Sequence, residues 1–189
     1  MPLKLHTLVC STRPTRIGPS IANWFHAYAQ NEGSFDATLV DLADFDLPVL
    51  DEPKHPRLRE YEHEHTRRWS ESVAEADAFV FVAPEYNYGP TPALLNALNY
   101  LVKEWNYKPV GFVSYGGVSG GLRGAQSIKT VLTTLKLMPI PEGVAVPFAQ
   151  SMIGEDKIFQ PTELMEQGAG VMLKELHRIS EALKGLRQG

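Results

Sequence analysis

The chain has 189 residues, is 43% hydrophobic and 21% charged, and carries a net charge of −4. This size fits one domain spanning residues 1–189 and can bury a core without disulfides or a structural metal. No Lys/Arg-rich block stands out, which argues against a nucleic-acid binder. No apolar run approaches ~18 residues, which argues against a membrane span.

The segment L-K-L-H-T-L-V-C (3–10) reads as a buried first strand that ends in a polar turn. Its interruption by Lys4 and His6 argues against a signal peptide. Residues 17–31 place Ile21, Trp24, Phe25 and Tyr28 at helical spacing. F-D-A-T-L-V-D-L (35–42) alternates as a strand, and 47–56 is a proline-punctuated loop. Residues 62–76 form a polar, helix-prone stretch. D-A-F-V-F-V-A-P (77–84) is continuous, aromatic and β-branched, as a strand buried on both faces should be. A helix follows over 90–103 with Leu94, Leu95, Leu98 and Leu101 as its stripe, then a strand over 109–115 and a helix over 120–137. A last strand falls within 140–148. Residues 161–186 read as a closing amphipathic helix with Leu164, Val171, Leu176, Ile179 and Leu183 facing in.

Strands alternating with helices imply an α/β fold, a five-stranded parallel sheet with helices on both faces. The strand order 2-1-3-4-5 is one common solution and puts a ligand where strands one and three diverge.

Three loops lie on that carboxyl edge. In the first, S-T-R-P-T-R-I-G-P-S (11–20), Ser11, Thr12 and Ser20 supply hydroxyls and Arg13 and Arg16 supply guanidinium forks. A helix opening near Gly18 adds backbone N–H groups and its dipole. These features suit a phosphate, although an ordinary capped βα turn uses the same residue types. The loop matches neither a Walker A nor a G-x-G-x-x-G pattern, which weakens NTPase and dinucleotide-dehydrogenase readings. In the second loop, P-E-Y-N-Y-G-P-T-P (84–92), Tyr86 and Tyr88 offer flat π surfaces and Asn87 an amide for a heteroaromatic edge. In the third, Y-G-G-V-S-G-G (115–121), glycines allow close backbone approach and a nest of N–H groups.

Together, S-T-R-P-x-R-x-G, P-E-Y-N-Y-G-x-x-P and S-Y-G-G-x-S-G-G resemble the NADPH-dependent FMN reductase family over nearly the whole chain. The resemblance implies a flavodoxin-like three-layer sandwich, bound FMN, and NADPH or NADH as hydride donor. It also implies a homodimer or homotetramer with flavin near a subunit interface. By position, it assigns Ser11, Arg13, Arg16 and Ser20 to the phosphate, with Gly18 opening the helix. Pro84, Glu85, Tyr86, Asn87 and Tyr88 then flank the isoalloxazine. Ser114, Tyr115, Gly116 and Gly117 border its pyrimidine end. Cys10 and Thr15 stand where relatives often have glycine.

The expected chemistry is a ping-pong hydride relay at flavin N5, from NAD(P)H to a small acceptor such as a flavin, quinone, azo compound or metal oxyanion. No catalytic side chain is assigned, and Glu85 is read as structural. N–H groups near Gly116 and Gly117 are expected to stabilise charge at flavin N1 and O2. An FMN electron carrier without nicotinamide turnover is the alternative, and Arg13 and Arg16 favour the reductase. Cys10 is the single cysteine, which suits a reducing cytoplasm. His55, His63 and His65 read as a solvated helix start rather than a metal site, since His63 and His65, two apart, do not share a helix face. The resemblance implies that this segment helps cover a neighbouring subunit's flavin. Trp24, Trp69 and Trp105 are expected on helices as core or interface packing.

Overall fold

The computed structural model describes residues 2–187. Five parallel strands form one sheet in the order β2-β1-β3-β4-β5. They are β1 (Leu3–Val9), β2 (Phe35–Asp41), β3 (Ala78–Pro84), β4 (Pro109–Tyr115) and β5 (Met138–Val146). Between and after them run α1 (Gly18–Glu32), α2 (Glu64–Glu75), α3 (Pro92–Asn99), α4 (Leu122–Thr134) and α5 (Glu163–Leu183).

The burial patterns explain the order. Every residue of β3 and of β4 is buried, because helices cover both faces of the central strands. The edge strands β2 and β5 mix buried and exposed positions. Pro139 and Pro141 on β5 lack the N–H that another strand would pair with, and so blunt that edge. On one face, Ile21, Phe25 and Ala29 of α1 pack with Ala169, Met172 and Leu176 of α5. On the other, Trp69 and Val73 of α2 join Leu94 and Leu98 of α3 and Ile128 and Leu132 of α4. The Trp69 indole N–H donates to the Ala97 carbonyl at 2.9 Å, so this large ring is buried without an orphaned donor.

Three expectations change. The inward stripe of α5 is Met165, Ala169, Met172, Leu173 and Leu176, while Leu164 and Val171 are 77% and 59% exposed. Sulfur side chains and alanine make up much of the buried face, so picking branched apolar residues selected the wrong side in the helix's first half. The helix after β3 ends at Asn99, and Trp105 sits on a separate single turn, Lys103–Trp105, still fully buried. His63 precedes α2 in extended conformation, so its ring folds back and stacks on His65 at 5.2 Å and 13°. Both rings face Asp51, with His65 Nε2 3.0 Å from its carboxylate. Among the described residues, no group of three or more His, Cys, Asp or Glu side chains is placed to hold a metal.

Candidate active site

The carboxyl ends of β1, β3, β4 and β5 open on one cleft of about 570 Å³, within the range of small-molecule and cofactor sites. One wall is the loop from β1 to α1. The opposite wall is made of the loops that follow β3 and β4.

The first wall is set by close fit at Gly18. Ser11 is fully buried, and the Tyr115 hydroxyl, reaching back from the end of β4, donates to its Oγ at 3.2 Å. A Cβ on Gly18 would fall 2.6 Å from the Tyr115 hydroxyl and nearer still to Ser11 Oγ. Only glycine therefore lets α1 begin there. Ile17, at the N-cap position, makes no side-chain capping bond, and Pro19 has no N–H to satisfy. Burial pushes the Tyr115 phenol well above its ordinary value, so it remains a neutral donor.

The second wall is locked by Glu85. Its carboxylate, 6% exposed, accepts from Ser119 Oγ at 2.8 Å and from the backbone N–H groups of Arg123 and Gly124 at 3.0 and 3.3 Å. It also accepts from Arg123 Nε at 2.8 Å and pairs with the other Arg123 arm at 2.6 Å. The loop after β3 is thereby tied to the first turn of α4, where the helix dipole favours a negative charge. Burial alone would raise the Glu85 carboxyl. Arg123, Ser119 and the Gly124 backbone outweigh it and hold the group below its ordinary value. All this places Glu85 as a structural anchor.

Past Glu85 the chain reverses at Tyr86–Gly89, whose backbones exchange hydrogen bonds of 3.0 and 2.9 Å. Asn87 and Tyr88 both have positive φ, 51° and 68°, as a primed two-residue turn requires. Asparagine tolerates that region, whereas the tyrosine is there at a cost. The Tyr88 ring lies under the Arg123 guanidinium at 3.8 Å, a cation–π contact that helps hold the turn.

Gly116 and Gly117 end the third loop's approach to the cleft. The Gly116 N–H donates to the Val146 carbonyl at 3.2 Å, so it is already engaged and does not serve as a free donor to a flavin. The Gly117 N–H has no partner among the described residues. Gly121, at φ 82°, lets α4 start with its backbone against Tyr115, where a Cβ would lie 2.5 Å from the Tyr115 nitrogen.

Of the residues singled out from sequence, Arg13, Arg16, Pro84, Glu85, Tyr86, Tyr115, Gly116 and Gly117 line the cleft. Ser11 and Gly18 lie buried beside the Tyr115 hydroxyl. Arg16 is drawn into an ion pair with Asp41 at the end of β2. Thr12 lines a separate hollow with Leu42 and Pro48. Ser20 Oγ donates to the Lys157 carbonyl at 2.8 Å. Ser114 is buried within β4 with Oγ on the Gly120 carbonyl at 2.8 Å. Asn87 and Tyr88 shape the turn and do not line the cleft.

Sequence reasoning missed a fourth loop. Phe148, Ala149, Gln150 and Ser151, just after β5, line the cleft. Phe148 and Ala149 donate their N–H groups to the Gly117 and Gly116 carbonyls at 3.0 and 3.1 Å. The signal available was position: these residues follow a parallel strand on the ligand-binding edge.

Residues 3–151 match the model of the NADPH-dependent FMN reductase family. The chain belongs to that family. It is therefore an oxidoreductase that works with FMN and NAD(P)H. A reductase of Nectria sp named as NAD(P)H-dependent FMN reductase is 33% identical, over 96% of this chain and 97% of its own. Another of that name from Schizosaccharomyces pombe is 40% identical, over 79% of this chain and 76% of its own. The solved structure of FerB, a flavoenzyme NAD(P)H:(acceptor) oxidoreductase from Paracoccus denitrificans, superposes with a TM-score of 0.74 at 17% identity. That match covers 95% of this chain and 98% of FerB. It supports the flavodoxin-like fold.

The cleft fits an FMN-sized molecule. It is open and lined by Arg13, Tyr86 and Phe148, and the Gly117 N–H, without a partner among the described residues, lies at its border.

Proposed function

We propose that this protein moves hydride from NADPH or NADH through FMN to a small acceptor by a ping-pong cycle in one cleft. The observation that carries the reading is that the loops after β1, β3, β4 and β5 converge on a single open cleft of about 570 Å³. Donor and acceptor must then use the same face in turn. FMN, when bound, supplies the hydride-accepting centre and the two-electron store.

The chain's own residues bind, orient and shape. Arg13 and Arg16 line the phosphate end, where Ser11 and Gly18 are buried, while Thr12 lines a separate hollow and Ser20 Oγ donates to the Lys157 carbonyl. Pro84, Glu85 and Tyr86 form the stiff wall beside the ring, and Asn87 and Tyr88 make the turn that holds it. Tyr115, Gly116 and Gly117 border the pyrimidine end, with Ser114 buried in β4. There the Gly117 N–H, not that of Gly116, is the donor available for developing negative charge. No side chain in the cleft is required to move a proton.

Acceptor choice is framed by relatives. An NADPH azoreductase of Bacillus sp. is 30% identical over 64% of this chain, and an NAD(P)H:quinone oxidoreductase of Solanum tuberosum is 32% identical over 60%. Quinones and azo compounds are therefore the first acceptors to try, beside free flavin and metal oxyanions. A cytoplasmic homodimer or homotetramer is part of this reading. Val49 and Leu58, in the connection before α2, and Leu95 on α3 leave apolar surface for a second copy to cover.

The test is anaerobic reduction. NADPH or NADH should bleach the flavin of the purified protein, and a quinone or azo dye should restore it. Double-reciprocal plots at several acceptor concentrations should be parallel. Intersecting lines would rule out the ping-pong cycle, and flavin that stays oxidised under both nucleotides would rule out the relay.

A further inference from the structure

The family resemblance assigns both Arg13 and Arg16 to a phosphate, but the two side chains are in unlike settings. Arg13 is exposed, and its side chain makes no hydrogen bond among the described residues, its carbonyl accepting only the Arg16 N–H at 3.0 Å. Arg16 is committed within the protein. One Nη donates to the Ser11 carbonyl and, at 2.6 Å, to Asp41 Oδ1. The other donates to Asp41 Oδ2 at 2.7 Å. Both side chains are only about one-fifth exposed, 19% and 21%. Asp41 Oδ1 also accepts the Ala43 N–H at 3.0 Å and so fixes the single turn that follows β2. One planar guanidinium thus joins the first loop to the end of the neighbouring strand in bidentate fashion.

The geometry points to Arg16 and Asp41 as a strut that positions the phosphate loop, with Arg13 as the guanidinium that meets the phosphate. This rests on the FMN reading of the cleft. Holding the Ser11 carbonyl on the Arg16 side turns the Thr12 N–H of the same trans peptide the opposite way. The Asp41 carboxylate neutralises the charge that Arg16 would bring to a dianion. Arg16 is therefore a positioning residue, and Asp41 supports flavin binding although it is an anion.

That last consequence gives the test its sign. If Arg16 were itself the phosphate ligand, Asp41 would compete with the phosphate, and Asp41→Asn would leave FMN binding unchanged or tighten it. With the strut, Asp41→Asn weakens it. FMN and riboflavin affinities are read by quenching of flavin fluorescence on the full chain. Expected for the strut is about a tenfold loss of FMN affinity in Asp41→Asn and in Arg16→Met, with no further loss in the double variant. Arg16→Lys, which keeps charge but not the fork, should behave like Arg16→Met. Arg13→Met should remove the preference for FMN over riboflavin.

Two outcomes overturn the strut. One is equal or tighter FMN binding by Asp41→Asn. The other is loss of the FMN-over-riboflavin preference in Arg16→Met while Arg13→Met retains it. Flavin-free thermal melts of the same four-member cycle give an independent reading: additive effects of Arg16→Met and Asp41→Asn would also overturn it. A wild-type chain that binds neither flavin would sink the cofactor reading, and the melting cycle would still decide the strut.

Discussion

The two walls of the cleft are held by ion pairs of different kinds. On the Glu85 side a buried carboxylate gathers five donors from Ser119, Arg123 and Gly124. On the Arg16 side a pair about one-fifth exposed closes on one carbonyl and one carboxylate, and the rest of the wall depends on the fit of Gly18 under Tyr115. Burial sets the consequence. Removing a buried acceptor strands its donors, whereas a partly solvated pair can fall back on water. The stiff wall thus carries the loops after β3 and β4, and the softer wall carries the arginine-bearing loop.

Glu85→Ala should have the largest effect, a loss of about 3 kcal/mol in urea denaturation, because the anchor of two loops and of the α4 N-terminus goes at once. A loss below about 1 kcal/mol would erase the contrast between the walls. Gly18→Ala should cost about 2 kcal/mol through overpacking against Ser11 and Tyr115. Tyr115→Phe, which removes the hydroxyl in the way, should recover part of it in the double variant. If the two changes simply add, the clash is relieved elsewhere.

Acid titration sharpens the comparison further. The Glu85 carboxyl is held below its ordinary 4.5 in the folded chain. Its stabilisation is thus complete above about pH 4.5 and is lost as pH falls through the lower folded value. Glu85→Gln should flatten the acid limb of the stability curve in that window. An unchanged limb would place the acid sensitivity in another carboxylate. The smallest effect is expected at the softer wall. Asp41→Asn should lower stability by about 1 kcal/mol, read as a small fall in melting temperature. A loss equal to that of Glu85→Ala would mean that partial exposure does not soften the Arg16 pair.

How far the sequence could be read depended on the range of the interactions. The strand at 77–84 was legible because a run of aromatic and β-branched residues has one economical placement, between two neighbours under two layers of helix. The closing helix was legible as a helix, and Leu176 and Ile179 face in as expected, but in its first half Met165, Ala169 and Met172 fill the space that Leu164 and Val171 were expected to take. Asn87 was read as a ring-edge donor, and its backbone shows a turn former. The Phe148–Ser151 loop carries no motif, so only its place after β5 brought it to the cleft.

The sequence by itself determined the alternation of strands and helices, the three loops on one sheet edge, and the family, because these rest on local pattern and short motifs. Only the tertiary structure decided which arginine is free and which is bound. It also showed that the Gly116 N–H is engaged and that Glu85 is an anchor. Those outcomes turn on partners far along the chain, Asp41 lying 25 residues from Arg16 and Arg123 lying 38 from Glu85. Hydrogen bonds and ion pairs form between neighbours in space, and only the folded chain makes those residues neighbours.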